Sequence, residues 1–484
     1  MTSGNPITAG RPDFSDSPVA AGGSDASSGP LALTGSTQRT PVGSVDSSGS
    51  MTSGNPETSA GPVIPEDSGA SNNRLITSNL ISYPFEANER TRPARILSVD
   101  IMRGLTLFLM LFVNDLYEPG VPSWLVHTKA DVDGMGLADW VFPGFLFMVG
   151  MSVPFAFAAR RKKGAGTGQL LQHILVRTVS LLIIGVMMLN GGRVNAELTG
   201  ISHSFWSILV LISVFLVWNS YPDHSKYQKL FFGLKLLGIA GLITMAVIFR
   251  GGEPGHVQWL RTGWWGILGL IGWGYLVSSV SFLLAGERLG VNILIALFFV
   301  MLNIFSQLGW LGFLDFARPV LGTIIDGNVP SIVMAGLVIG LLVKKQGNNH
   351  RKLILWIASA GIVCLLSGFV LRHWFILSKI YATPSWGMVC NGISMLVFAL
   401  LFHVVDVLKK ERWTRVFLPA GRNSLTTYLA PDLIYYLIWG IGVPVLIYKQ
   451  DAIPVLAVGG SLLWALAMIG FTVLLSRMNI RLRL

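Results

Sequence analysis

Ala138-Asp-Trp-Val-Phe-Pro-Gly-Phe-Leu-Phe-Met-Val-Gly-Met-Ser-Val-Pro-Phe-Ala-Phe-Ala-Ala159 is an almost unbroken apolar run, and Arg160-Arg161-Lys162-Lys163 closes it. About 20 such residues let a helix cross the roughly 30 Å hydrocarbon core of a bilayer. The four cations would hold their end at the cytoplasmic face, where loops carry the Lys/Arg excess. The first polar residue of the run, Asp139, stands at the opposite end. It follows the polar stretch Trp124-Leu-Val-His127-Thr-Lys-Ala-Asp131-Val-Asp133.

Comparable runs recur along the chain after residue 95. We read twelve spans: 97–116, 138–159, 169–189, 204–221, 229–249, 263–284, 289–308, 329–344, 352–371, 385–405, 424–446 and 453–476. The 484 residues are 52% hydrophobic and 13% charged, whereas a soluble domain carries about 25% charged residues. A β-barrel would show alternating segments of about 10 residues, a pattern this chain lacks. The expected fold is an all-α polytopic membrane protein embedded in a lipid bilayer, with the transmembrane domain over 90–484.

The connections divide by charge. One side gathers Arg90, Arg92 and Arg95, the 160–163 cluster, Lys226 and Lys229, Arg288, Lys344, Lys345, Arg351 and Lys352, then the basic residues of 409–422 and 477–483. The other side holds Lys129, Arg193, Arg250, Arg261, Arg318, Arg372, Lys379 and Lys449. The first side reads as cytoplasmic, and with an even number of spans both termini lie there. The net charge of +11 is then a topology signal, and no nucleic-acid partner is expected. His127 falls on the extracytoplasmic side.

Residues 1–89 are rich in Ser, Gly, Pro, Thr and Ala. They cannot bury enough apolar surface to fold, so a disordered tail is expected. Met-Thr-Ser-Gly-Asn-Pro occurs at 1–6 and at 51–56, which reads as a local duplication or as an upstream start beside Met51. The opening does not read as a cleavable signal peptide. The two cysteines, Cys364 and Cys390, lie in apolar segments. They offer neither a disulfide framework nor a metal site.

His127 is the first candidate for chemistry, because imidazole moves protons near neutral pH. Asp115 or Asp139 could fix its tautomer, and Asn114 could donate to a developing oxyanion. The alternative is a wet loop histidine beside helix-capping residues. Arg103 and Arg177 lie inside the cytoplasmic ends of spans one and three, where they either meet donor phosphates or snorkel to headgroups. The turn Gly164-Ala-Gly166-Thr-Gly168 has no preceding strand, which argues against a phosphate-binding signature and for a loop. Polar residues at Gly421-Arg-Asn423-Ser424-Leu-Thr426-Thr427-Tyr428 could line a shaft or join helices. The glycines at 263, 266, 269, 272 and 274 read as close helix packing. No Walker, nucleophile-elbow or His-Glu-x-x-His motif is present.

Several of these stretches together resemble one family. They are Arg95-Ile-Leu-Ser98-Val-Asp100-Ile-Met-Arg103-Gly104, Phe112-Val-Asn114, His127, and Leu137-Ala-Asp139-Trp-Val-Phe-Pro143-Gly-Phe-Leu-Phe-Met-Val-Gly150. They resemble the heparan-α-glucosaminide N-acetyltransferases and their bacterial relatives. Ser378-Lys379-Ile380 with Pro384-Ser385-Trp386 looks like that family's Asn-Lys…Trp-Ser segment, and Gly421-Arg-Asn423-Ser424 its Gly-Met-Asn-Ser.

The resemblance implies acetyl transfer across a membrane, from cytosolic acetyl-CoA as donor substrate, without a metal. It places the catalytic histidine at His127 and its companion asparagine at Asn114, with Asp139 or Asp115 orienting the ring. Donor binding is expected from Arg103, Arg177, Lys379, Trp386, Asn423 and Ser424. The lysosomal enzyme carries a lumenal N-terminal domain and fewer spans. Those differences point the acceptor toward a bacterial amino sugar or another periplasmic glycan. The competing readings are a secondary transporter, which an internal repeat would betray, and a non-catalytic glycan-export partner. Close-packing glycine faces would permit a homodimer.

Overall fold

Where no water reaches the backbone, each N–H and C=O must find a partner within its own segment, and a helix provides this. In a computed structural model of the chain, the structure describes residues 96–222, 226–346, 349–441, 448–450 and 452–484. The tail read over 1–89 and the basic residues Arg90, Arg92 and Arg95 lie outside the described residues, as does the far end of the segment read at 424–446.

Among the described residues, twelve helices of 16 residues or more overlap the segments read from the sequence. They are α1 (Leu97–Asp115), α2 (Leu137–Lys162), α3 (Thr167–Gly191), α4 (His203–Trp218), α5 (Gln228–Ile248) and α6 (Gly266–Ala285). Then come α7 (Leu289–Gln307), α8 (Asn328–Gln346), α9 (His350–Leu371), α10 (Pro384–Phe402), α11 (Ser424–Ile441) and α12 (Pro454–Arg477). Among the described residues, 10 helical stretches are long and apolar enough to cross a membrane, and α4 is a shorter apolar helix. The chain is an all-α polytopic membrane protein. Its β structure among the described residues amounts to a short hairpin, Gly251–Glu253 with His256–Gln258, in the loop between α5 and α6, and an isolated antiparallel bridge between Asn219 and Leu482.

Helical turns at Gly312–Ala317 and Arg318–Ile325, outside the segments read from the sequence, precede α8. They break from it at Asp326 and Gly327, where Gly327 takes φ 68°, and Arg318 pairs there with Asp315 and with Asp326.

The helices are layered. α1, α2, α8 and α10 are mostly buried within the bundle, whereas α5, α7, α9 and α12 turn most of their surface outward. Outward apolar side chains such as Leu237, Ile243, Leu294 and Val363 suit contact with lipid.

Close approach holds the inner layer together, as in other membrane bundles. A Cβ on Gly150 of α2 would lie 1.8 Å from the Val333 carbonyl oxygen, and one on Gly336 of α8 would lie 1.9 Å from that of Phe147. Phe147, Met148, Met151, Ile332, Val333 and Leu337 fill the seam and are fully buried. The Gly266–Gly272 run packs α6 on α3, where a Cβ on Gly185 would meet the Gly269 nitrogen at 2.5 Å. At the start of α1, the Leu97 and Ser98 N–H groups both donate to Asp406 at 3.1 Å. The carboxylate serves as a remote cap on the positive helix end.

Candidate active site

The first N–H groups of any helix lack partners inside it. At the start of α2 the preceding loop supplies them. Leu137 N–H donates to the Trp124 carbonyl (2.7 Å) and Ala138 N–H to that of Leu125 (3.2 Å). Gly136 N–H donates to Asp139 Oδ2 at 2.9 Å. A Cβ on Gly136 would fall 2.0 Å from the Val126 carbonyl oxygen, so only glycine permits this seam. The loop is thereby laid along the helix end, and His127 arrives beside Asp139.

His127 Nδ1 lies 2.7 Å from Asp139 Oδ1, and Thr128 N–H donates to Asp139 Oδ2 at 3.0 Å. Asp139 is buried, and His127 keeps a quarter of its side chain exposed. A carboxylate only accepts, so Nδ1 carries the proton and the lone pair sits on Nε2. A base aimed away from its orienting acid is the arrangement that general-base histidines use.

A second loop completes the site. Asp133 takes the Arg372 guanidinium (2.8 Å) and the Leu377 N–H (2.8 Å). Gly134 N–H donates to the Leu377 carbonyl at 3.1 Å, and Ser378 Oγ donates to that of Ala130 at 2.9 Å. Partial burial would raise the Asp133 carboxyl, but the Leu377 N–H and Arg372 outweigh it and hold the group below the usual carboxylate range. This strap carries Lys379 to His127. Its ammonium lies 3.1 Å from Nδ1 and 3.3 Å from Nε2; with the ring proton on Nδ1 it can donate only to Nε2, and it must release that lone pair before the nitrogen acts as a base. Burial pushes Lys379 down to about 8, against the opposing pull of Asp139.

The other residues singled out in the sequence fall into separate groups. Asp115 is not on the imidazole. Its buried carboxylate accepts from the Tyr435 and Tyr448 hydroxyls and pairs with Lys449 at 3.1 Å. That correction follows from the helix end: α1 turns Asp115 toward α11 and α12, with Ser461 Oγ on its carbonyl. Asn114, one residue earlier, is exposed at the end of α1. Lys379, expected at the donor, sits beside the histidine. Trp386 is buried in the first turn of α10, and its indole N–H has no hydrogen-bond partner among the described residues.

At the other end of α1 and α2, Arg103 bonds to Ser152 Oγ, to the Gly421 carbonyl (3.4 Å) and to Asp100 (3.5 Å). Gly104 and Gly421 meet backbone to backbone, for a Cβ on either would lie 2.0–2.1 Å from a carbonyl oxygen of the partner segment. The Ser-Val-Asp-x-x-Arg-Gly and Gly-Arg-Asn-Ser runs are therefore one contact. Asn423 and Ser424 bond locally, to the Pro419 and Gly421 carbonyls. Arg177 stands apart, with its guanidinium 4.6 Å from the Tyr275 ring centroid. Asp139 and Ser152 are thirteen helical steps apart on α2, which at about 1.5 Å per residue sets the Arg103 contact about 20 Å along the helix from Asp139.

A family described as a domain of unknown function, DUF5009, matches residues 95–307. The human heparan-alpha-glucosaminide N-acetyltransferase is 37% identical over 148 residues, which is 28% of this chain and 21% of the human protein. The mouse protein of that name is 29% identical over 182 residues, 34% of this chain and 27% of its own length. Over those stretches the chain is similar to these transferases. The matched region spans about a quarter of their length.

The Asp133–Arg372 strap and the Tyr435–Tyr448–Lys449 cluster around Asp115 were not singled out from the sequence. The strap left one signal. Asp133 and Arg372 carry opposite charges in loops assigned to the same side of the membrane.

Proposed function

We propose that this chain is a transmembrane acyltransferase that passes an acetyl group from cytosolic acetyl-CoA to the amine of an amino sugar or glycan on the extracytoplasmic side. The observation that carries the reading is the His127–Asp139–Lys379 constellation, in a chain related to membrane N-acetyltransferases.

In this reading both termini are cytoplasmic, the membrane is a bacterial inner membrane and the His127 loop faces the periplasm. The Lys/Arg distribution supports that orientation. Acetyl-CoA enters from the Arg103 end, where Asn423 and Ser424 also lie. An extended pantetheine arm matches the separation of about 20 Å along α2. His127 Nε2 takes a proton from the acceptor amine as its nitrogen attacks the thioester carbonyl. The C–N bond forms, and the tetrahedral intermediate expels the thiolate of coenzyme A. The imidazolium then returns the proton to that thiolate, so no net proton is released. Asp139 holds the ring, and the Lys379 ammonium faces the negative charge that develops on the oxyanion and thiolate. Asn114 is the second donor to the oxyanion. If Nε2 first carries the acetyl group itself, the same residues are required.

The test is acetyl-CoA turnover by the detergent-purified protein with glucosamine as acceptor, followed by release of free thiol. Wild-type protein should release thiol and form N-acetylglucosamine, and His127→Ala should bind acetyl-CoA without turnover. Full turnover by His127→Ala would overturn the reading.

A further inference from the structure

Arg160, His173 and Arg177 gather at the end of the bundle that carries the basic loops. Arg160 ends α2, while His173 and Arg177 lie one turn apart on α3. The Arg160 guanidinium bonds to His173 Nε2. Since arginine only donates, the imidazole accepts there and adds no positive charge of its own. Arg160 and Arg177 lie within electrostatic reach of one another, and both act on His173. All three side chains are half-buried. Arg177 spreads over the ring of Tyr275 on α6.

Among the described residues, neither Arg160 nor Arg177 forms an ion pair with a carboxylate. The Nε–H of Arg177 is buried without a hydrogen-bond acceptor. Burying like charges together costs free energy unless a counter-charge arrives, and an orphaned donor adds to that cost. Guanidinium pairs of this kind are suited to phosphate oxygens. The face of α3 beside them is apolar and outward, with Leu171, Leu175, Val176 and Val179 exposed. That is where the acyl chains of a lipid would lie if its headgroup occupied the cluster.

We propose that Arg160, His173 and Arg177 form a phosphate-binding site at the junction of α2, α3 and α6. His173 acts as a positioning residue that turns Arg160 toward Arg177. The ligand chemistry is a phosphate ester, carried either by an anionic phospholipid headgroup in the adjacent leaflet or by a soluble phosphorylated compound. This inference does not rest on the transferase reading, because the cluster calls for an anion whatever reaction the His127 end performs.

The test uses the full chain in two arms. Native mass spectrometry of detergent-purified protein exchanged into phosphatidylglycerol or phosphatidylcholine reads lipid retention. Thermal unfolding of delipidated protein titrated with inorganic pyrophosphate reads the soluble arm. Wild type should bind at least one of the two probes, and Arg160→Gln and Arg177→Gln should each weaken that binding about 10- to 100-fold, as expected for a lost charge-assisted hydrogen bond. Arg177→Lys should lose less.

Loss confined to phosphatidylglycerol assigns the site to a lipid headgroup, and loss confined to pyrophosphate assigns it to a soluble phosphate. Ligand-free Arg160→Gln should unfold at or above the wild-type temperature, because one of two repelling charges is gone. Should Arg177→Gln fail to fold, Arg160→Gln, at the end of its helix, decides alone. Wild-type binding of neither probe, or undiminished binding of both by the folded variants, overturns the proposal.

Discussion

Replacing Asp139 with asparagine alters one charge in the centre of the site and leaves its volume almost unchanged. Asp139 now accepts three N–H groups: the His127 ring at 2.7 Å, Gly136 at 2.9 Å and Thr128 at 3.0 Å. An amide offers one acceptor oxygen and one NH2 group. If the oxygen keeps the two backbone donors, the NH2 faces His127 Nδ1, which must then accept. The ring proton moves to Nε2, the nitrogen that has to take the proton of the incoming amine. General-base catalysis is worth roughly 10²- to 10⁴-fold, and the same exchange in serine-hydrolase triads costs about 10⁴. Asp139→Asn should therefore lower kcat by about 10²- to 10⁴-fold while acetyl-CoA affinity stays at the wild-type value. The two backbone bonds also lose their charge assistance, which removes about 2 kcal/mol of stability. Thiol release under saturating acetyl-CoA and glucosamine reads the first effect, and equilibrium binding of acetyl-CoA controls for folding. A folded Asp139→Asn protein with kcat within a few-fold of wild type would refute the base assignment.

Further outcomes follow from the same geometry. Burial lowers Lys379 to about 8, so its ammonium persists below that pH and is lost above it. The kcat of wild type should fall as pH rises through about 8, and Lys379→Arg, which stays charged, should carry that falling limb to higher pH. Asp115→Asn would strand the half-buried Lys449 now 3.1 Å away, a loss of about 3–5 kcal/mol. It should lower the unfolding temperature without changing the pH profile of the folded enzyme. Gly336→Ala would drive a Cβ to 1.9 Å from the Phe147 carbonyl oxygen. It should destabilise the protein by about 1–3 kcal/mol, whereas Gly233→Ala, with nothing within 4 Å, should not.

What the sequence discloses depends on how local each signal is. The apolar segments are local, since length and hydropathy alone specify a spanning helix, and 10 of the described helical stretches meet that test. The helical turns at 312–325 escaped because Asp315, Arg318 and Asp326 look like loop until their pairing is known. His127 and Asp139 are 12 residues apart, close enough for the sequence to suggest their partnership, though it offered Asp115 equally. The choice between the two carboxylates is made by contacts of Asp115 more than 300 residues away, with Tyr435 and Tyr448. Lys379 shows the same limit. It stands 252 residues from His127, and only the docking of two loops through Asp133 and Arg372 brings the pair together. No periodicity encodes that pairing.

The most direct test of the account separates the two substrates by a membrane. Purified protein is reconstituted into liposomes with glucosamine sealed inside and acetyl-CoA added outside. N-acetylglucosamine should accumulate inside while free coenzyme A thiol appears outside, and His127→Ala vesicles should form neither. Wild-type vesicles that yield no internal product, or His127→Ala vesicles that match them, would contradict transmembrane acetyl transfer through His127.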